Sequence, residues 1–487
     1  MDPQRREKSV LRFGQLELDL KASELRRNGV VIKLPLQSFK VLAILASRGG
    51  QLVTRKEIQE QIWGDDTYVD FDQGLAHCIH QIRQALKDNS RSPRYIETLP
   101  RRGYRFLPDT TTSKIQALAV LPFANLSGDP DQEYLADGLT ESLITELGKI
   151  GSFRIISRQS IMRFKHSHNP LPEIAHSLNV QALVEGALMR EGDQVRVTAQ
   201  LVAVEPERHV WADVYERNLA SLLELVNDVA RTIAQQLKGI LTKQESASLN
   251  SDVRVRPEAH EAYLRGLYLW NRRTGEDLVK AVQYFQRAID KDSSYAHAYA
   301  ALADTYTMLA VYQGPPKEFF PMGLAAARKS LELNSSIAES HASLAMIQGL
   351  YLWDWASAIK GMKNAIKLNP SCATARHWYA AFLSVLGNDQ KALAEITLAQ
   401  KLDPLSPQIN TRVGVHLYYL HKYDLAIKSL LGTLDLYPRY AIAHYSLGQA
   451  YLKKEMYDEA IYEFEKGTEL GLKHELVHGL AVHDDAQ

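Results

Sequence analysis

The chain has 487 residues, of which 45% are hydrophobic and 23% charged, the balance of a globular protein with room for about three domains. It contains 57 basic and 57 acidic residues, which excludes a uniformly basic or acidic chain. However, residues 1–107 contain 19 Lys and Arg against 13 Asp and Glu, so the rest of the chain has the opposite excess. This asymmetry predicts a nucleic-acid contact near the N terminus.

The sequence shows no sign of export or of a membrane segment. No apolar segment follows residues 1–6, and no run of 18 apolar residues occurs. The two cysteines, Cys78 and Cys372, exclude a disulfide framework and indicate a reducing compartment. We therefore expect a soluble, cytoplasmic protein that makes no contact with a membrane.

The first hundred residues begin with short predicted strands and then helices. Residues 16–19 and 30–34 predict strands, and residues 36–48 predict an amphipathic helix. Thr54, followed three residues later by Glu57, predicts a capping box and the start of a second helix.

Residues 71–86 predict a helix with two contrasting faces. One face is apolar and consists of Leu75, Ile79, Ile82 and Leu86. The opposite face is rich in amide and imidazole groups, which can hydrogen-bond base edges in the major groove. Its side chains are our candidates for reading bases, with the first and last at the periphery: Gln73, His77, His80, Gln81 and Gln84.

A predicted β-hairpin follows this helix, and its turn is basic. Arg101 and Arg102 lie in the turn and Thr98 precedes them, which indicates contacts with the DNA backbone or the minor groove. Arg83, on the flank of the helix, could reach a DNA phosphate or only an internal carboxylate. A helix followed by a basic-tipped hairpin is the plan of a winged helix.

Residues 10–107 resemble the C-terminal DNA-binding domain of OmpR/PhoB-type response regulators and of their ToxR/CadC-like relatives. The resemblance includes Gly-Gln-Leu-Glu-Leu-Asp at 14–19, Thr-Arg-Lys-Glu-Ile at 54–58, and the helix and hairpin. It implies a winged helix that binds double-stranded DNA, and only about ten residues precede the resembling segment, too few for a receiver domain. It also implies that an acidic loop contacts RNA polymerase, although a solvated loop is the alternative; its residues are Asp65, Asp66 and Asp70.

Residues 115–242 predict an α+β domain. An apolar strand at 117–123 precedes a helix at 134–150, and three strands between 182 and 215 precede a helix at 219–241. The segment resembles the TolB N-terminal-like domain through Ala-Val-Leu-Pro-Phe, Leu-Ser-Gly-Asp-Pro, Ala-Asp-Gly-Leu-Thr and Val-Thr-Ala-Gln-Leu, which begin at 119, 126, 136 and 197. The resemblance implies a signalling context and no chemistry.

The chain repeats itself after residue 258. A 34-residue interval separates Ala358, Ala392, Ala426 and Ala460, and it also separates Pro370, Pro404 and Pro438. Small residues and prolines at this period are typical of tetratricopeptide (TPR) repeats, and we count six. Stacked repeats form a superhelix with a concave groove that binds a protein or peptide, whereas a pure scaffold or oligomerisation surface is the alternative.

These observations predict a multidomain protein with α+β and all-α parts, in the order winged helix, TolB-like α+β domain and α-helical TPR superhelix. The function that they favour is a one-component, sequence-specific transcriptional regulator with no catalytic residues, cofactor or metal site. The alternative is a TPR adaptor that its winged helix anchors to DNA. The predicted boundaries are 1–107 for the winged helix, 108–114 for a linker, 115–242 for the α+β domain, 243–257 for a second linker, 258–475 for the repeats and 476–487 for the tail.

Overall fold

The computed structural model describes most of the chain, and the described residues form two compact units, residues 1–114 and 115–487. Each unit has its own hydrophobic core. The described residues are 10–13, 16–27, 30–63, 71–86, 88, 93, 95–99, 102–107, 115–204, 207–238 and 255–471.

The first unit begins with a four-stranded antiparallel sheet. Its strands follow chain order: β1 (Val10–Phe13), β2 (Leu16–Asp19), β3 (Glu24–Arg27) and β4 (Val30–Ile32). The sequence pattern predicts only the second and fourth of these strands. It missed β3 because Leu25 is its single apolar residue, and the buried side chain of Leu25 faces the core alone.

Three helices and a second sheet complete the first unit. They are α1 (Leu36–Ser47), β5 (Leu52–Thr54), α2 (Arg55–Ile62), α3 (Phe71–Leu86), β6 (Ile96–Leu99) and β7 (Gly103–Phe106). Strand β7 lies between β5 and β6. The predicted capping box is confirmed, because Thr54 Oγ1 accepts from the backbone N–H of Glu57 while the Glu57 carboxylate accepts from that of Thr54. This is a winged helix, in which β6 and β7 form the wing.

The second unit begins with the α+β module, which we define as residues 115–238. A sheet in the order β10-β8-β11-β12-β13 forms its centre, with β9 beside β11. Its elements are β8 (Ala117–Val120), β9 (Ala124–Asn125), α4 (Glu133–Gly148), β10 (Arg154–Ile155), α5 (Arg158–Ile161), α6 (Leu171–Leu178), β11 (Ala182–Glu191), β12 (Gln194–Val204), β13 (Glu207–Asn218) and α7 (Leu222–Lys238).

The continuous apolar character of β8 has a structural reason. Leu118 and Val120 pack with α4 and α7 in one core, whereas Ala117 and Ala119 pack with α6 in another. A strand covered on both faces has no polar side to expose, which is why its sequence shows no alternation.

Twelve helices follow in the range 255–471, and they form six antiparallel pairs. In order they are α8 (Pro257–Arg272), α9 (Gly275–Lys291), α10 (Ala296–Tyr312), α11 (Pro316–Leu333), α12 (Ala338–Leu350), α13 (Trp355–Leu368), α14 (Ala373–Val385), α15 (Asp389–Leu402), α16 (Pro407–Tyr419), α17 (Tyr423–Leu436), α18 (Ala441–Lys453) and α19 (Tyr457–Glu469). The periodic small residues lie where paired helices touch. A Cβ on Gly414 would come within 2.6 Å of Leu430, and one on Gly448 within 2.7 Å of Phe464.

The α+β module and the first repeats share one continuous core, which runs from the sheet through α4 and α7 into α8, α9 and α10. The two parts approach closely at Gly138 of α4, where a Cβ would lie 2.6 Å from Leu264 of α8. The module and the repeats therefore pack as one folded body. No helix within the described ranges is long and apolar enough to cross a membrane.

Candidate nucleic-acid interface

Helix α3 is held in place by its apolar face. Leu75, Ile79, Ile82 and Leu86 are all buried in the core of the first unit, as the helical pattern predicts. Two polar contacts fix the C-terminal end of the helix. Arg27 of β3 donates to the carbonyl oxygens of Ala85 and Leu86 at 3.3 and 3.2 Å, and satisfies carbonyls that a helix end leaves unpaired. Sequence reasoning did not identify this role of Arg27, because it depends on a contact across 58 residues.

The predicted base-reading residues lie on the opposite face of α3. Gln73, His77, His80 and Gln84 are exposed, and Gln81 is half-buried. The structure therefore places all five at one helix face, with four of them open to solvent. Whether they contact bases stays a prediction.

Gln81 differs from the other four because it also contacts the fold. Ser38 Oγ of α1 donates to Gln81 Oε1 at 2.7 Å, and Gln81 Nε2 lies 2.8 Å from His77 Nε2. An amide nitrogen can only donate, so in this arrangement His77 Nε2 is the acceptor and the ring N–H is at Nδ1. Gln81 thus orients His77, and His77 presents a donor rather than an acceptor.

The second strand of the wing, β7, begins at a close approach to β5. Gly103, the first residue of β7, has a φ of +154°, and a Cβ there would lie 2.1 Å from the Val53 carbonyl oxygen of β5. Only glycine therefore fits at this position. Arg102 is exposed beside it, and its backbone N–H donates to the Leu99 carbonyl at 3.0 Å to close the turn. Arg101 lies outside the described residues. Both arginines remain predicted DNA contacts.

Arg83 links α3 to the wing. Its guanidinium donates to the Ile96 carbonyl at 3.0 Å and to Thr98 Oγ1 at 2.8 Å. The sequence left open a DNA phosphate or an internal carboxylate, and the partners within the fold are a carbonyl and a hydroxyl. Thr98 is exposed and accepts this bond, so Arg83 and Thr98 join α3 to β6.

The predicted polymerase-contact residues, Asp65, Asp66 and Asp70, lie outside the described residues, so their role stays a prediction. The acidic residue that follows α3 has a visible structural role. Asp88 accepts from the backbone N–H groups of Tyr95 and Ile96 at 3.2 and 2.8 Å, which joins the end of α3 to the start of the wing.

The α+β module covers part of the surface of the repeats. Tyr134 of α4 donates to Glu261 of α8 at 2.8 Å, and Asn271 donates to Glu141 at 2.7 Å. Farther along the array, Ser160 donates to Asp403 at 2.5 Å and accepts from the Leu405 backbone at 2.9 Å.

The contacts from the repeat loops to the module are periodic. Asn369, Asp403 and Tyr437 are 34 residues apart, each just before a periodic proline. Asn369 lies against Gly148, whose Cβ would be 2.7 Å from Asn369 Oδ1, and Arg163 donates to the Tyr437 hydroxyl at 2.5 Å. Sequence reasoning missed this series, although the polar residue before each proline was a visible signal.

Comparisons with known proteins agree with this architecture at both ends of the chain. Residues 29–106 match the family model described as "Transcriptional regulatory protein, C terminal", and residues 414–469 match "Tetratricopeptide repeat". The N-terminal domain is of the OmpR/PhoB type. The OmpR/PhoB-type domain therefore includes α3 and the wing, and the helical array consists of TPR repeats. Neither matched model reaches residues 115–242, so the resemblance of that segment to the TolB N-terminal-like domain stays a prediction.

Relatives of the OmpR/PhoB-type domain and of longer parts of the chain include named regulators. The chain is 25% identical over 408 residues to "Transcriptional regulator HilA" of Salmonella paratyphi A, a match covering 80% of the chain and 70% of HilA. It is 34% identical over 96 residues to "Response regulator SaeR" of Staphylococcus epidermidis, covering 20% of the chain and 42% of SaeR.

A third relative has an enzyme name. The chain is 28% identical over 311 residues to "Putative adenylate cyclase 3" of Rhizobium meliloti, and the match covers 62% of the chain. The chain spans about half of that protein, because the match covers 51% of it.

Proposed function

We propose that this protein is a transcriptional regulator that binds specific double-stranded DNA sequences with α3 in the major groove. The observation that supports it best is the contrast between the two faces of α3, one buried in the core and the other lined with exposed histidine and glutamine side chains. An OmpR/PhoB-type domain match over residues 29–106 supports the same function.

Within this proposal, the five candidate base-reading residues of α3 have different roles. His80 is exposed near the middle of the helix face and is our first candidate for a base contact, with Gln73 and Gln84 toward the ends. His77 would offer a donor from Nδ1, held by Gln81. Gln81 therefore acts mainly through His77 and through its bond to Ser38.

The wing supplies contacts that do not depend on sequence. Arg101, Arg102 and Thr98 would meet the DNA backbone or the minor groove, where positive charge displaces counterions from the phosphates. Arg83 contributes by positioning Thr98 rather than by reaching the DNA itself.

RNA polymerase is the second partner that we propose. The acidic loop with Asp65, Asp66 and Asp70 would contact it, as the family resemblance implies. Replacing the three carboxylates with amides should reduce transcription from a bound promoter while DNA affinity stays the same. Unchanged transcription would remove the loop from the proposal.

We further propose that the chain acts without catalysis, in the cytoplasm where the chromosome is accessible. The two matched family models describe a DNA-binding domain and a repeat, and the relative with a cyclase name extends well beyond the matched residues. Purified full-length protein supplied with ATP and a divalent metal should form no cyclic AMP. Formation of cyclic AMP would contradict this part of the proposal.

The repeats and the α+β module form the regulatory part in this proposal. Since the module covers part of the repeat surface, a protein partner would use the exposed remainder, toward the last repeat. Side chains exposed there include Tyr457, Ile461 and Tyr462. A partner bound there would alter DNA occupancy if it bound two states of the protein with different affinities.

The direct test of the proposed function is selection of random double-stranded DNA by the full-length protein. We expect a short motif to be enriched, and a promoter with that motif to change its transcription when the protein is added. A pool that stays unenriched while the protein still binds DNA would contradict sequence-specific regulation. That result would favour the adaptor function, in which the winged helix only anchors the repeats.

A further inference from the structure

The last strand of the α+β module, β13, lies at the edge of the module's sheet. It pairs with β12 on one side, and no other strand of the described residues pairs with it. Natural proteins commonly keep edge strands short, interrupt them with proline or guard them with lysine. Strand β13 is 12 residues long, contains neither proline nor lysine, and pairs regularly with β12 from Trp211 to Asn218. This open edge is long enough to accept a further strand.

The hydrogen-bond pattern determines which backbone groups of β13 face the open edge. The N–H of Leu219 donates to the Asp193 carbonyl at 2.8 Å, in the register that pairs β12 with β13. Bonded and non-bonded residues alternate along an antiparallel pair, so the odd-numbered residues from Trp211 onward direct their backbone groups toward β12. The N–H and C=O groups of the even-numbered residues from 212 to 218 therefore point away from β12.

Two of these outward-facing groups are bonded to the side chain of an adjacent residue. The Val214 N–H donates to Asp213 Oδ1 at 2.8 Å, and the Glu216 C=O accepts from Arg217 Nη1 at 3.0 Å. All four residues are exposed. The Asp213 carboxylate and the Arg217 guanidinium thus occupy a donor and an acceptor that a neighbouring strand could bind.

A second copy of β13 is a strand that fits this edge. Antiparallel pairing about a twofold axis must match even-numbered residues with even-numbered ones, so the axis passes through a residue. An axis at Asp213 or at Glu216 would place that carboxylate opposite its own copy, which is unfavourable. An axis at Val214 would bring no opposite charges together. An axis at Tyr215 places Asp213 opposite Arg217 of the second copy, and this pair occurs twice.

We propose that two copies of this protein associate through β13, antiparallel and with Tyr215 opposite its own copy, so that their two sheets become one. The Val214 N–H would donate to the Glu216 C=O of the second copy, which replaces both local side-chain bonds. The Asp213 and Arg217 side chains released in this way would lie directly opposite each other across the interface, as an ion pair.

The rest of the strand is compatible with this pairing. Trp211 and Tyr215 pack against the core of the second unit, so β13 is held in place before a second copy arrives. The Glu216 side chain lies on the other face of the sheet, where its carboxylate is 3.6 Å from Arg196 of β12, so its charge is balanced within the chain. The alternative is that Asp213 and Arg217 only cap the edge of their own strand, which would keep the protein monomeric.

The test measures the mass of the full-length protein by sedimentation equilibrium at concentrations from about 1 to about 100 µM, the range suited to a small interface. We expect the mass to rise from that of one chain, 54.9 kDa, toward twice that value. Asp213→Arg and Arg217→Asp should each raise the dissociation constant at least about tenfold, because each places like charges opposite one another at two positions.

The double variant, with both Asp213→Arg and Arg217→Asp, restores opposite charges across the interface and should regain the parental dissociation constant. Within one chain the two residues are four positions apart on a strand, about 13 Å, which is too far for an ion pair. Recovery therefore requires a second copy. The control is Arg208→Glu, which reverses an exposed charge on β13 outside the regular pairing and should leave the dissociation constant unchanged.

Circular dichroism of each variant establishes that it is folded, and hydrogen exchange of the parent provides a second readout. Residues 211–218 should exchange more slowly at the concentration where the dimer forms. A parent that stays monomeric throughout, a dimer that both single variants retain, no recovery in a folded double variant, or unchanged exchange of residues 211–218 on dimerisation would each overturn the proposal. The proposal does not rest on the proposed function, because none of these measurements involves DNA.

Discussion

Single side chains on α3 combine structural and recognition roles, and Gln81 is the clearest case. It accepts from Ser38 of α1 and holds the His77 ring, so its loss affects both helix packing and the donor that His77 presents. Its position in the sequence alone predicts that Gln81 contacts bases. His80 has no such second role among the contacts described, which makes it the better probe of recognition.

At the wing, Arg102→Ala should weaken binding to all DNA sequences by a similar factor. The guanidinium is exposed on a turn, where it can meet a phosphate but is not positioned by the helix that faces the bases. The slope of log affinity against log salt should fall by about one, because about one fewer counterion is released. Lys21→Ala, which removes an exposed cation from the turn between β2 and β3, should leave the slope unchanged.

His377 provides a pH-dependent test of burial in the repeats. The side chain is 5% exposed, and burial lowers its pKa from 6.5 to about 3. The folded state therefore keeps a neutral ring, while the unfolded chain takes up a proton below about pH 6.5. The folded state is therefore not penalised for its neutral His377 ring above pH 6.5. As the pH falls from 6.5 toward 3, the unfolding free energy decreases because the unfolded chain gains a proton that the folded state does not.

The measurement compares the parent with His377→Gln in urea unfolding at several pH values. The difference in unfolding free energy between them should fall by about 1 kcal/mol from pH 6.5 to about pH 5.5. Contributions from other titrating groups cancel in this difference. A difference that is constant with pH would show that the ring is protonated in the folded state as easily as in the unfolded chain.

Among the elements, the paired helices of the repeats depend on their small residues. A Cβ on Gly414 of α16 would lie 2.6 Å from Leu430 of α17, so Gly414→Ala should lower the unfolding free energy by about 1–3 kcal/mol through overpacking. Gly432 lies on α17 with nothing within 4 Å of its would-be Cβ. Gly432→Ala should instead raise stability by about 0.5–1 kcal/mol, because alanine favours the helix.

These two variants differ only in where the same methyl group is added, so thermal or urea unfolding separates packing from helix propensity. If Gly414→Ala were as stable as Gly432→Ala, the close contact between α16 and α17 would be wrong.

The elements with a strong periodic signal could be predicted from the sequence. The buried stripe of α3 and the 34-residue interval of the repeats are local patterns, and the structure confirms both. Strand β3 was missed because Leu25 is its single apolar residue, and both β1 and β3 are defined by their pairing with β2. The bonds of Arg27 to the end of α3 and of Ser160 to Asp403 were missed because they join residues that are far apart in the chain.

At the scale of the whole molecule, the α+β module and the repeats cannot be treated as separable parts. They share a core, so deleting the repeats would expose apolar surface of α4 and α7 rather than remove one function. Point substitutions at their contact are a sharper way to test how the module and the repeats are joined.

Ser160→Ala is such a substitution. Ser160 and Asp403 are both buried. Loss of the Ser160 hydroxyl removes one hydrogen bond to the Asp403 carboxylate and one from the Leu405 N–H. We expect a loss of about 1–3 kcal/mol of unfolding free energy. Ser177→Ala, at an exposed serine of α6, is the control and should change stability by less than about 0.5 kcal/mol. A stable Ser160→Ala variant would contradict the described contact.

The central claim is that the protein reads DNA sequence with the exposed face of α3. Selection of random double-stranded DNA by the full-length parent, by His80→Ala and by His176→Ala tests it most directly, because His176 is an exposed histidine on α6 of the module. His80→Ala should lose or alter the preference at one or two positions of the motif, corresponding to about 1–3 kcal/mol, while His176→Ala selects the parental motif. If all three proteins select the same motif with the same preferences, His80 does not read the DNA and the assigned recognition face is wrong.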